Sequence, residues 1–277
     1  LRDLILAPRH ALVRELMETD LVTLRYDQDA EIVTQLFARY DFIAAPVVDD
    51  NCGLLGSVTH DDVLDVVQEE ATRDMQKVGG SEALDAPYFD VGFLPMLKKR
   101  GGWLAVLFLG ETLTATAMGH FEEEIKKAAV VALFVPLIIS SGGNSGSQAT
   151  SILIRSLALQ EVKLRDWWRV FRMEFFSSAA LGVLLGAIGF VRILLWYKFG
   201  WASYDGHPYM IGATVWCSLI GVVMFGSLAG SMLPFVLRKV GLDPATASAP
   251  FVATLVDVTG LVIYFSVALS ILKGTLL

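Results

Sequence analysis

SAPFVATLVDVTGLVIYFSVALSIL, residues 248–272, is an apolar run whose only charged residue is Asp257. About 20 such residues in a helix cross the hydrocarbon core of a bilayer. The run therefore reads as a membrane span with a carboxylate near its middle. An ionised carboxylate there costs at least ~2.5–3.5 kcal/mol, and is retained where it faces water, an ion or a partner group. Two readings follow: a cation site in a pore, or a carboxyl hydrogen-bonded to a neighbouring helix. Thr254, Thr259 and Gly260 add small polar groups near that level and suit either.

Four more apolar stretches, roughly 102–120, 126–143, 173–197 and 209–237, are long enough, or nearly so, to span. The second is short, carries Pro136, and runs into SSGGNSGSQATS at 140–151. That polar stretch cannot face lipid, because a loosened backbone would lack hydrogen-bond partners there. It either lines a wet cavity, offering oxygens to a hydrated cation, or packs helices closely through small residues; the two are compatible. It is not a phosphate loop, since the Lys that would follow GxxxxG is missing. Glu111, inside the first span, has no assigned role. Glu122, Glu123 and Glu124 are expected at an outer mouth, where they would concentrate cations. His10, His60, His120 and His207 show no ligand spacing. No repeat relates the five stretches, so an inverted-repeat carrier has no support.

Composition agrees with a membrane protein. Apolar residues make up 54% of the 277, and charged residues 18%, against roughly 25% in soluble domains. Mean hydropathy is +0.56. The charge is unevenly placed. Residues 1–90 hold 19 Asp/Glu and 7 Lys/Arg, a net of −12; the remainder holds 10 and 15, a net of +5. An acidic soluble module is thus joined to a mildly basic apolar one, which disfavours nucleic acid and favours cations. Cys52 and Cys217 lie in different modules and suggest neither a disulfide nor a zinc site. The chain opens on Leu1, and LRDLILAP reads like the closing helix of an earlier unit, so a fragment of a longer protein is expected.

Orientation follows from the basic residues. With the acidic module cytoplasmic, Lys98, Lys99, Arg100, Arg155, Lys163, Arg165, Arg169, Arg172, Arg238 and Lys239 lie inside, against Lys126, Lys127, Lys198 and Lys273 outside. The expected protein is multi-pass in a cell (plasma or inner) membrane, with its N-terminus cytoplasmic and its C-terminus extracytoplasmic. Trp196, Tyr197, Trp201, Tyr204 and Tyr209 supply an outer aromatic belt.

The acidic module alternates strand and helix signals. Leu21–Arg25 predicts a strand, and Asp27 a cap for a helix with Ile32, Val33, Leu36, Phe37 and Tyr40 at helical spacing. Strands are predicted at 43–48 and 54–59 around a turn, then a helix from Thr59 or Asp61 to about Val78, stopped by Gly79-Gly80. On that helix Asp62, Asp65 and Glu69 fall on one stripe, with Glu70 and Asp74 adjoining. Like charges at this spacing repel unless neutralised. Either Mg²⁺ neutralises them, since it favours carboxylates while retaining most of its waters, or they form an ordinary solvated face. VRELM (13–17), APVVDDNCGLLGSVT (45–59) and Thr59-His60-Asp61-Asp62 resemble a CBS domain. The resemblance implies that Thr59 and Asp62 hold the ribose of an adenine nucleotide. CBS domains pair, and only the tail of a first copy is visible here.

Taken together with PLIISSGGNSGSQA (136–149), GLDPATASAPFVATLVDVTGL (241–261) and the acidic helix, the chain resembles the MgtE family of magnesium channels over essentially its whole length. The implied fold is a mainly α membrane protein of five transmembrane helices, preceded by a partial α/β CBS regulatory domain. The implied divisions are 1–60 (CBS), 61–80 (plug helix), 81–101 (linker and amphipathic segment) and 102–277 (pore domain). The resemblance further implies a homodimer with one Mg²⁺ pore on its two-fold axis, lined by the second and fifth helices. Asp257 would bind hydrated Mg²⁺, aided by the Ala253 carbonyl and Asn144, with Asp243 near the cytoplasmic mouth. Glu31, Asp41, Asp62, Asp65, Glu70 and Asp74 would sense cytoplasmic Mg²⁺ and hold the pore closed. Two departures stand out. Arg73 occupies a position where another acid is expected, and Ala249 replaces a polar residue. With part of the regulatory region missing from this fragment, the expected gating is weakened.

Two other functions fit the residues less closely. A CBS-regulated, proton-coupled secondary transporter of divalent cations would use Asp257 as its proton carrier. A non-transporting nucleotide sensor would leave Asp257 and the Gly/Ser/Asn-rich run without a purpose. An enzyme is not expected, since no nucleophile, base and oxyanion donors come together.

Overall fold

The computed structural model describes residues 6–8, 10–17 and 20–276. The first five residues of the LRDLILAP segment lie outside the described residues. The chain divides into two compact units, Leu1–Thr72 and Arg73–Leu277.

The first unit is a small α/β fold. After a single turn, α1 (Val13–Leu16), come β1 (Leu24–Arg25), α2 (Ala30–Tyr40), β2 (Ala44–Val48) and β3 (Leu54–Thr59), then α3 (His60–Val78), which ends in the second unit. The sheet order is β1-β2-β3, with β1 parallel to β2 and β2 antiparallel to β3. Leu24, Phe37, Ala45 and Val63 form its buried core. Two sequence expectations shift. The first strand is only Leu24–Arg25 rather than 21–25. Asp29, not Asp27, caps α2, accepting the Glu31 N–H at 2.9 Å. Asp27 instead pairs with Arg25 at 3.0 Å, because the turn places the later aspartate at the helix start.

The second unit is helical: α4 (Phe93–His120), α5 (Glu122–Lys127), α6 (Ala129–Ala132), α7 (Val135–Ala158), α8 (Trp167–Lys198), α9 (Pro208–Lys239) and α10 (Ala249–Leu272). Five segments are long and apolar enough to cross a membrane: 93–120, 129–158, 164–198, 208–239 and 249–272. Helix starts follow local chemistry. Pro136, Pro208 and Pro250 sit in first turns, where a missing N–H removes no intrahelical bond. The Ser248 hydroxyl caps α10, accepting the Phe251 N–H at 3.3 Å.

The second span departs most from expectation. Instead of ending near 143, it continues as regular helix through SSGGNSGSQATS to Ala158. Its backbone is not loosened, and Pro136 starts the helix rather than interrupting it. The first span begins earlier than expected, taking Lys98, Lys99 and Arg100 into α4. Between α7, α9 and α10 lies a core that includes Ile138, Val222, Val252 and Val256, all fully buried. The Tyr264 hydroxyl donates to the Val131 carbonyl at 2.6 Å, tying α10 to α6.

Candidate ion site in the membrane helices

The glycine-rich helix α7 has two faces. On the buried face, a methyl group added to Gly142 would collide with Val222 and come within 2.8 Å of Val256 Cγ1. One added to Gly146 would lie 2.7 Å from Val252 Cγ1 and 2.9 Å from the Gly226 carbonyl. The α7 and α9 backbones therefore touch, as small residues allow. Polar groups on this face are spent on the contact. Ser145 and Ser227 share a hydrogen bond of 2.6 Å, and Thr150 donates to the Gly146 and Gly230 carbonyls at 2.9 Å each. On the opposite face Ser140, Asn144, Gln148 and Ser151 form a stripe the chain leaves exposed. The Asn144 amide reaches only the Ser140 hydroxyl, at 3.5 Å, among the described residues.

Helix α10 runs antiparallel beside α7. The Ser147 hydroxyl donates to the Ala249 carbonyl at 3.3 Å, and a methyl on Gly143 would sit 3.6 Å from Ala253 Cβ. Ala253 thus packs next to Asn144, and Asp257 follows one turn beyond it, half-buried. No hydrogen bond joins Asp257 to Asn144 among the described residues.

On its other side α10 is followed by α4, running parallel. The Trp103 indole N–H donates to Ser248 at 3.1 Å, and its ring lies 6.3 Å from that of Phe251. A methyl on Gly110 would meet Thr254 Cγ2 at 3.0 Å. Beyond the end of α4, Phe121 stacks on Phe265 at 4.8 Å. This register brings the Glu111 carboxyl within hydrogen-bonding reach of Asp257. Sequence reading left Glu111 unassigned. The signal was a carboxyl inside an apolar span, which is retained where it meets water, an ion or a partner group.

At the start of α10, Asp243 accepts the Ala245 N–H at 2.8 Å and pairs with Lys77 at 2.6 Å. Lys77 lies on the last turn of α3, and the turn that follows approaches closely. Gly80 has φ +76°, and a methyl there would fall 2.9 Å from Pro250 Cγ and 3.2 Å from Trp103 Cδ1. Only glycine combines that backbone with that contact. The expected ion ligand Asp243 therefore already has a protein cation beside it.

Of the predicted sensing residues, Asp62 and Asp65 are exposed on α3 and Glu70 is partly covered. Asp62 accepts the Thr59 hydroxyl at 2.6 Å and the Thr59 N–H at 3.0 Å. The hydroxyl bond first, then the N–H bond, hold its carboxyl below the ordinary aspartate range. Thr59 and Asp62, the nucleotide candidates, thus satisfy one another. Glu31 stands in the first turn of α2, and Asp41 closes that helix in a left-handed conformation at φ 52°. Asp74 lies in the second unit. Among the described residues, no three His, Cys, Asp or Glu side chains group closely enough to share one ion.

Residues 135–267 match a family model described as MgtE, a divalent cation transporter, and residues 13–69 match the CBS domain. The chain is 43% identical over 274 residues to the magnesium transporter MgtE of Thermus thermophilus, covering 99% of this chain and 59% of the relative. It is 32% identical over 269 residues to that of Enterococcus faecalis, covering 97% and 56%, and 33% identical over 267 residues to that of Bacillus subtilis, covering 96% and 57%. The chain spans less than three-fifths of the length of each of these relatives.

Proposed function

Because the chain belongs to the MgtE family of divalent cation transporters, we propose that it carries Mg²⁺ across a membrane through a pore formed between two copies, with Asp257 as the ion-binding carboxylate. The observation that carries this reading is the uncovered polar stripe of α7, flanking α10 and its mid-span carboxylate. Polar side chains on a membrane helix belong against water or protein, not hydrocarbon. A two-fold partner would cover such a face with its own copy. The enclosed space would then be lined by Asn144, the Ala253 carbonyl and Asp257 from each copy. Mg²⁺ dehydrates reluctantly and keeps several waters, so oxygens on a wide wet wall suit it. Asp243 is the ligand nearest the start of α10.

Orientation belongs to the same reading. The inner basic residues still exceed the outer ones once Arg192 is added to the outer set. Arg192 stacks over Trp196 at 4.7 Å, toward the Lys198 end of α8. That favours a cytoplasmic N-terminus.

We assign gating to α3. Asp62 and Asp65 are exposed on it one turn apart, and a bound cation would lower their mutual repulsion, so ion occupancy can bias a two-state element. The last turn of α3 bears on the start of α10 through Lys77–Asp243 and Gly80–Pro250, which gives the helix a mechanical connection to the pore. Substituting Asp65→Asn and Glu70→Gln together should raise Mg²⁺ flux at high cytoplasmic Mg²⁺; unchanged inhibition in that double variant counts against this assignment.

The central test is Mg²⁺ flux into proteoliposomes, comparing the chain with Asp257→Ala. Flux in the parent that is lost in a correctly assembled variant supports the pore. Flux surviving the substitution moves Asp257 to a structural role. Flux that follows an imposed proton gradient points to the proton-coupled carrier instead.

A further inference from the structure

Glu111 is an acidic residue on a membrane-spanning helix that the proposed pathway does not use. Its position is fixed by the α4–α10 register. Trp103 lies on Ser248 and Phe251, Gly110 on Thr254, and Phe121 on Phe265. Between the last two contacts the Glu111 and Asp257 carboxyls meet. One turn further along the same side of α4, the Thr114 hydroxyl is enclosed and has no hydrogen-bond partner among the described residues. Other hydroxyls on α4 bond back to a carbonyl, as Thr116 does to Thr112 at 3.1 Å and Thr112 to Leu109 at 2.6 Å, while on α9 the buried Ser218 hydroxyl also lacks a partner among the described residues. The α10-facing side of α4 therefore carries a carboxyl set against the ion-binding carboxylate, and a hydroxyl with an unused donor.

We infer that Glu111 is a specificity-determining residue of the ion pathway, supplying a second carboxylate beside Asp257 so that a hydrated divalent cation, and not a monovalent one, balances the charge of that pair. The inference rests on the reading that this chain conducts Mg²⁺. Its physical basis is neutralisation. Two carboxylates in contact repel strongly inside a membrane protein, where the effective dielectric is low. One dication offsets both, whereas one monovalent ion leaves a net negative charge uncompensated. A hydrated Mg²⁺ also presents several water hydrogens, and two carboxylates accept more of them than one. In a dimer each copy would contribute one such pair, and each pair would take its own dication.

The experiment uses the purified full chain in proteoliposomes. Mg²⁺ influx is measured against external Mg²⁺ concentration, and K⁺ flux is measured in Mg²⁺-free buffer. In Glu111→Gln the half-saturating Mg²⁺ concentration should rise about tenfold, more than the maximal rate falls, as loss of one charge contact to the ion implies. The ratio of Mg²⁺ to K⁺ flux should fall with it. Glu111→Asp, which keeps the charge on a shorter stem, should recover most of the ratio. Parent-like half-saturation and selectivity in Glu111→Gln overturn the inference. If Glu111→Gln does not elute as an assembled species, Glu111→Asp decides alone: a shifted half-saturation supports the inference, and parent values overturn it. A parent that conducts no Mg²⁺ refutes the proposed function itself. Loss in Asp257→Ala with no change in Glu111→Gln refutes only the role of Glu111.

Discussion

Replacing Gly226 by alanine tests the claim that α7 and α9 meet backbone to backbone. The added methyl would overlap the Gly142 carbonyl oxygen and lie 3.0 Å from its carbon and 3.4 Å from the Gly142 Cα. None of these atoms belongs to a side chain that can rotate away. The helices must instead separate by several tenths of an ångström, which withdraws Gly142 from Val222 and Val256 and stretches the 2.6 Å Ser145–Ser227 hydrogen bond. Overpacking of this kind costs ~1–3 kcal/mol, and a weakened hydrogen bond up to about 1 kcal/mol more. Alanine's better helix propensity returns roughly 0.5–1 kcal/mol. The net loss is about 1–3 kcal/mol. For a unit of about 200 residues each kcal/mol lowers Tm by about 2–4 °C, so a fall of roughly 3–10 °C is expected. The assay is thermal unfolding of purified protein in mild detergent, with Gly102→Ala as comparator. Nothing lies within 4 Å of a methyl placed on Gly102, so that variant should match the parent or gain stability. A Gly226→Ala Tm within about 1 °C of the parent would refute backbone contact between the two helices.

Two further substitutions probe the ends of α3. Lys77→Gln removes the pair with Asp243, whose side chains are 34% and 37% exposed. Solvent screening limits the stability loss to below about 1 kcal/mol, so a larger fall in Tm would show that this contact holds far more of the unit together than an ion pair does. Thr59→Val removes the hydroxyl that lowers the Asp62 carboxyl, and that carboxyl should then titrate closer to the ordinary aspartate range. A depressed carboxyl contributes stability above its unfolded pKa that is lost as pH falls through the folded one. The variant should therefore lose stability at neutral pH and show a smaller drop on acidification. An Asp62 titration that does not move, followed by carboxyl NMR, counts against the hydroxyl as the cause.

The fold was legible because its signals are long and redundant. Five apolar stretches, a strand–helix alternation ending at Gly79-Gly80 and a jump in charge near residue 90 each survive local ambiguity. Ends were less legible. Asp27 and Asp29 are both competent caps, and only the path of the turn after β1 chooses between them. In the second span, glycine and serine pointed to an irregular backbone because their intrinsic helix propensity is poor. Tertiary contact overrides that preference, since the bare backbone is what lets α9 and α10 approach. Asp257 was visible as a lone charge in an apolar run. Its neighbour was not, because nothing in either sequence stretch sets the register of α4 on α10. That register is fixed by Trp103, Gly110 and Phe121 against Ser248, Thr254 and Phe265, and these pairings exist only once the helices are packed.

The same helix periodicity resolves the two readings of SSGGNSGSQATS. Cavity lining and close packing compete only if the stretch is treated as a single surface. With 3.6 residues per turn, Gly142, Ser145, Gly146 and Thr150 fall toward α9 and α10, where small side chains and satisfied hydroxyls serve packing. Ser140, Asn144, Gln148 and Ser151 fall on the other side, where the chain offers them no cover. Packing therefore accounts for the glycines and leaves the exposed polar residues unexplained. They would be a liability against lipid, and removing the glycines would not relieve it. A second copy enclosing water on that face relieves it at once. The burden of the pore reading thus rests on four residues of α7 as well as on the single carboxylate of α10.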